Sequence, residues 1–111
     1  AVCGNPTIWK PSEHTPLTAV AAIKICEDVA RRNGFPGLFA LMTGGADIGG
    51  RLAADRRIPL LSATGSTAMG RSVAQTVAAR LGRSLLELGG NNAVIVLRDA
   101  DLELAVRAIF F

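Results

Sequence analysis

The sequence predicts an α/β fold with a doubly wound, mostly parallel sheet. Short apolar runs alternate along the chain with longer segments of helical period. The runs lack the apolar–polar alternation of a strand with one wet face, which is the pattern of parallel strands covered on both sides. Two of them end in glycine-containing turns that open helices, at Gly44-Gly45 and at Thr64-Gly65-Ser66, the strand–turn–helix order of a crossover connection.

The elements follow in order. A short strand is expected at 7–10, stopped by Pro11. Thr15 or Ser12 is suited to cap the next helix, with Pro16 in its first turn. That helix is expected over 16–33. Ala19, Ala22, Ile23, Cys26, Val29 and Ala30 form its apolar face, and Lys24, Glu27, Asp28 and Arg31 its polar one. Asn33-Gly34 ends it and Pro36-Gly37 turns the chain. A strand at 38–43, a short helix at 47–55 and a strand at 58–63 come next. A helix at 67–81 then carries Met69, Val73 and Val77 on one face. Two strands, 84–88 and 93–97, flank Gly89-Gly90-Asn91-Asn92, and Asp99-Ala100-Asp101 caps a last helix from Leu102 onward.

The chain has 111 residues, half of them hydrophobic and 19% charged, so it suits one small domain with a core. A net charge of +3 with scattered arginines argues against nucleic acid as a partner. No apolar run reaches the length of a membrane span, and the first residues show no basic-then-apolar leader pattern. Cys3 and Cys26 form neither a CxxC pair nor metal spacing with the single His14, so no metal is expected and a reducing compartment fits. The chain starts inside an apolar phrase and stops at Ile109-Phe110-Phe111 inside an apolar helical pattern, so both ends read as cut.

Several residues have the chemistry of a site. Gly65-Ser66 lies between a strand and a helix, where free amides and a hydroxyl suit phosphate oxygens; the same residues serve equally as an ordinary helix cap. Lys10 and Glu13 sit at one strand end as a donor and an acceptor for hydroxyls, or as a plain solvated ion pair. Gly44-Gly45-Ala46-Asp47-Ile48-Gly49 is a second glycine-rich strand-to-helix turn, with Asp47 favoured by the helix dipole. Glu87 ends an apolar strand before Gly89-Gly90. Burial there would raise its pKa toward that of a general base, whereas an edge position would leave it meeting water or an arginine. Cys26 lies on an apolar helix face and reads as core. His14 has no catalytic partner in sequence and receives no role.

Trp9-Lys10-Pro11-Ser12-Glu13, Thr64-Gly65-Ser66-Thr67-Ala68-Met69-Gly70 and Leu86-Glu87-Leu88-Gly89-Gly90-Asn91 together resemble the aldehyde dehydrogenase superfamily. The likeness runs over nearly the whole chain and corresponds to a middle slice of such an enzyme. Asn91 and Ala93 stand where most members have Lys and Pro, a variant similar to the antiquitin branch, the α-aminoadipic semialdehyde dehydrogenases. Ala63 departs from the Phe that many members carry before Thr-Gly-Ser.

The resemblance implies a partial Rossmann-like dinucleotide-binding domain over 1–111, its C-terminal end leading toward a catalytic domain. It implies NAD as cofactor, held by Lys10, Glu13, Gly45, Gly49, Gly65 and Ser66. Glu13 beside the ribose 2′-hydroxyl would disfavour the 2′-phosphate of NADP. It implies Glu87 as the general base that activates the deacylating water, with Gly89 and Gly90 letting it swing. The family's nucleophilic cysteine would lie beyond Phe111 and its oxyanion-hole asparagine at or before Ala1, so this chain alone is expected to be inactive. The whole enzyme would oxidise an aldehyde of lysine breakdown to a carboxylate, in the cytoplasm and as a homo-oligomer. A non-catalytic dinucleotide-binding module or an inactive fragment is the alternative; a cysteine soon after Phe111 would support the enzyme.

Overall fold

A computed structural model of the chain describes residues 2–90 and 93–110. Asn91, Asn92 and Phe111, which carry part of the sequence reading, lie outside the described residues.

The first unit is β1 (Thr7–Trp9), α1 (Pro16–Arg32) and β2 (Phe39–Leu41). β1 and β2 pair in parallel, with Thr7 opposite Phe39 and Trp9 opposite Leu41. Parallel pairing needs a crossover, and α1 supplies it. Pro16 starts α1, where its missing amide costs nothing. Thr15 holds the N-cap position but makes no side-chain cap; Ser12 instead accepts from the His14 amide at 3.3 Å. Ala19, Ile23 and Ala30 are buried as the periodicity requires, whereas Val29 is exposed and Cys26 only half-buried. On the outer face Asp28 bridges Arg31 and Arg32 at 2.7 and 2.6 Å.

α2 (Ala46–Ala54) leads to the second unit, β3 (Leu60–Gly65), α3 (Thr67–Ala79) and β4 (Arg83–Leu88). β3 and β4 are again parallel, from Leu60 opposite Arg83 to Gly65 opposite Leu88. Met69 and Val73 are half-buried and Val77 is fully buried on the face α3 turns inward. The Arg80 Nε donates to the Ala53 carbonyl at 2.7 Å and ties the C-terminal ends of α2 and α3 together.

Among the described residues the strands form two separate parallel pairs, and they are less covered than their apolar sequences suggest. β3 alternates between exposed and half-buried positions because helices of this chain cover only part of the ladder. The strand expected at 93–97 is absent: the run has no ladder partner and Val94, Ile95, Val96 and Leu97 are exposed. Apolar β-branched residues supply propensity, but a strand forms only against another strand. α4 (Leu102–Phe110) begins where expected, Asp101 Oδ1 accepting from the Leu104 amide at 3.1 Å, yet none of its residues is buried.

Candidate functional site

The chemistry-bearing residues gather at the carboxyl ends of the strands, the end at which parallel α/β sheets bind ligands. They form two groups, one on each unit.

On the first unit, Lys10 directly follows β1. Its ammonium donates to the Pro11 carbonyl at 3.0 Å and lies 3.8 Å from Glu13 Oε2. The Lys10 side chain is only 17% exposed and that of Glu13 is 54% exposed, so the lysine is packed while the carboxylate it meets stays in solvent. Glu13's own backbone amide, and then the Lys10 charge, hold its carboxyl below the ordinary value of 4.5. Gly49, in the first turn of α2, brings that helix against the Lys10 stem: a Cβ there would lie 3.8 Å from Lys10 Cδ. Gly45 is the N-cap of α2 and offers no side-chain oxygen. Lys10, Glu13, Gly45 and Gly49 are thus joined in one corner between β1 and the start of α2.

On the second unit, Gly65 ends β3 and Ser66 caps α3. Ser66 Oγ accepts from the Met69 amide at 3.1 Å, which leaves its hydroxyl proton available to a further acceptor. The first amides of α3 have no partner within the helix. A donor hydroxyl and free amides suit an anionic oxygen, and the absence of a Cβ on Gly65 leaves room that the Met69 methyl occupies, 2.5 Å from where that Cβ would lie. Glu87 lies on the neighbouring strand, directly opposite Thr64. It is exposed, and among the described residues its carboxylate makes no hydrogen bond or ion pair. The burial expected of it is therefore not supplied by this chain, because β4 has β3 on one side and no strand on the other.

Gly89 corrects a second expectation. Its amide donates to the Gly65 carbonyl at 3.0 Å, and its own carbonyl accepts from Thr67 Oγ1 at 3.2 Å. Its backbone is not in the left-handed region. It is a fastened residue rather than a free hinge.

Two functional positions escaped the sequence reading. Gly44 has φ 147, and a Cβ on it would collide with Ile48 at 2.5 Å, so this glycine, more than Gly45 or Gly49, shapes the first turn. Gly70 is buried inside α3, and a Cβ on it would fall on the Leu88 side chain. A glycine in a helix interior costs roughly 1 kcal/mol against alanine, and that cost was the available signal of close packing.

Cys3 is exposed ahead of β1. Cys26 lines an open apolar groove of about 350 Å³ with Ile25, Val29, Phe35 and Phe39, between α1 and β2 of the first unit. His14 is exposed. Among the described residues no helix is long and apolar enough to cross a membrane. No group of His, Cys, Asp and Glu among them could hold a metal ion.

The family model for the aldehyde dehydrogenase family matches residues 1–111. The aldehyde dehydrogenase family 7 member A1 of Pisum sativum is 54% identical over 99% of this chain and 22% of its own length. The α-aminoadipic semialdehyde dehydrogenase of Bos taurus is 51% identical over 99% of this chain and 21% of its own. The structure of lactaldehyde dehydrogenase from Escherichia coli superposes with a TM-score of 0.82 at 41% identity, covering 95% of this chain and 22% of that one. Betaine aldehyde dehydrogenase from Staphylococcus aureus in complex with NAD+ gives 0.80 at 36%, covering 92% and 20%. The chain spans about a fifth of the length of these relatives, and over that span it belongs to the aldehyde dehydrogenase family.

Proposed function

We propose that this chain is the dinucleotide-binding segment of a longer NAD-dependent aldehyde dehydrogenase of the antiquitin type. The whole enzyme oxidises α-aminoadipic semialdehyde, an aldehyde of lysine breakdown, to its carboxylate. It works in the cytoplasm as a homo-oligomer, and the segment alone is inactive. The identity to α-aminoadipic semialdehyde dehydrogenases supports the substrate, and the NAD+-bound relatives support the cofactor.

The observation that carries the reading is the register of β3 on β4. It sets Glu87 opposite Thr64, one strand spacing from the Gly65-Ser66 turn, so a carboxylate and an anion-holding turn share one edge. Gly65 and Ser66 would receive the pyrophosphate. Lys10 and Glu13, with Gly45 and Gly49 keeping the approach open, would receive ribose hydroxyls. NAD, when bound, supplies the hydride acceptor. Glu87 would take a proton from the water that releases the acid product from the enzyme's cysteine, a residue outside this chain. An exposed carboxylate on a strand end is free to reach such a water, and covering by the rest of the enzyme would tune its basicity.

The test is Glu87→Gln in the full-length enzyme, which keeps the shape and removes the proton acceptor. A single burst of NADH is expected, followed by steady turnover lowered about 10²- to 10⁴-fold, the usual worth of general base catalysis. The acylated enzyme should accumulate and be visible by intact mass. Unchanged steady turnover removes Glu87 from the mechanism; loss of both burst and adduct moves its action to an earlier step.

A further inference from the structure

We propose that Thr67 is a positioning residue, whose hydroxyl fastens the backbone just beyond Glu87 to the turn that receives the cofactor's phosphates. This rests on the reading of Glu87 as the base. Thr67 is the first residue of α3, immediately after the cap Ser66. Its Oγ1 donates to the Gly89 carbonyl at 3.2 Å, across a sequence separation of 22 residues. The Gly89 amide donates to the Gly65 carbonyl at 3.0 Å. Both polar groups of Gly89 are therefore held by residues flanking Ser66, one through backbone and one through a side chain.

The backbone bond continues the β3–β4 ladder and would form with almost any residue at these positions. The Thr67 bond depends on a hydroxyl. Without it the Gly89 carbonyl loses the partner it has among the described residues, and the peptide between Gly89 and Gly90 loses that restraint. Neither glycine has a Cβ, and the space around Gly90 is open. Glu87 stands two residues before this point, with only the backbone bond from the Gly89 amide to Gly65 left between it and the freed carbonyl. A reacting group displaced by about 1 Å loses up to 10²-fold in rate. The consequence is a coupling: the turn that receives the phosphates and the strand end that carries the base are set by one shared contact.

The test compares Thr67→Val, which keeps the shape and removes the hydroxyl, with Thr67→Ser, which keeps the hydroxyl, in the full-length enzyme. Two readouts are taken: hydrogen exchange of the peptide spanning 86–90, and the NADH burst against steady turnover. Thr67→Val should speed exchange in that peptide, leave the burst amplitude and the KM for NAD within about twofold, and lower steady turnover about tenfold. Thr67→Ser should restore both readouts most of the way. Unchanged exchange in Thr67→Val overturns the proposal. So does faster exchange with normal turnover, which would make the bond merely structural, and so does an equal defect in Thr67→Ser, which would make the role one of packing. Absence of NADH formation by the unaltered enzyme would instead overturn the activity, and the exchange of Thr67→Val would still decide whether the clamp exists.

Discussion

In the proposed function, Glu13 is the residue whose charge would bear most directly on cofactor choice. Its carboxyl is held below its ordinary value, first by its own backbone amide and then by Lys10, 3.8 Å away. A depressed carboxylate keeps its charge at every pH above its unfolded value and loses it only as pH falls below about 4.5. Glu13 is therefore anionic throughout the neutral range, and as the proposed ribose contact it would repel a 2′-phosphate there. Glu13→Gln in the full-length enzyme should raise the efficiency with NADP relative to NAD by about two- to fivefold, the size of an exposed charge–charge effect partly offset by Lys10. The gain should be flat between pH 6 and pH 8, since Glu13 does not titrate there. The ratio of kcat/KM for the two cofactors is the measurement, and an unchanged ratio would remove Glu13 from the ribose.

At the scale of elements, the contact between α3 and β4 depends on Gly70. The helix approaches so closely that a methyl at this position would strike the Leu88 side chain, next to Glu87. Gly70→Ala gains helix propensity, about 1 kcal/mol on an exposed helix, yet a methyl there would meet both Leu88 Cδ atoms and its Cγ, so the partly exposed Leu88 side chain must turn away, and such overpacking costs typically 1–3 kcal/mol. The net expectation is destabilisation despite the better helix former. Because Leu88 adjoins Glu87, steady turnover of the full-length enzyme should fall as well. Thermal melting together with turnover checks this; a stabilised variant with full activity would mean that α3 sits farther from β4 than described. Gly44 sets the other turn in the same manner, through its φ of 147 and the nearness of Ile48.

At the scale of the molecule, the chain leaves far more surface open than a self-sufficient domain of its mass. Its accessible area is 8984 Å², against about 5,800 Å² for a compact monomer of this mass. Its radius of gyration is 18.9 Å, against about 13 Å for a compact chain of this length. The open surface is apolar: Val94, Ile95, Leu97, Leu102, Leu104, Ile109 and Phe110 are all exposed, Phe110 at 86%. Burying one such side chain contributes roughly 1.5–3 kcal/mol, so this surface will seek cover. The isolated 111-residue chain should self-associate or bind a hydrophobic dye. A sharp monomer peak in sizing with light scattering, without dye fluorescence, would contradict this.

The sequence by itself determined what depends on neighbours along the chain. Helix periodicity placed α1 and α3 to within a few residues, because the apolar stripe of a helix is written at fixed spacing, and a glycine break and a cap placed the starts of α2 and α4. The caps at Ser66 and Asp101 were legible for the same reason, since a cap is a contact across three residues. The Thr64-Gly65-Ser66 and Glu87 motifs stood out by their resemblance to the aldehyde dehydrogenase family; by residue type alone Ser66 read as a helix cap and Glu87 equally well as an edge carboxylate. Only the tertiary structure decided what depends on partners distant in sequence. Val94 to Leu97 has every local mark of a strand and is not one, for want of a ladder to join. Glu87 follows an apolar run and is exposed, because burial belongs to whatever covers an edge strand and not to the strand's own residues. Gly89 looked like a hinge until Gly65 and Thr67, more than twenty residues earlier, were seen to hold both of its polar groups. Local propensity is encoded over a turn or two of chain, whereas burial, pairing and clamping are set by atoms that meet only once the chain has folded.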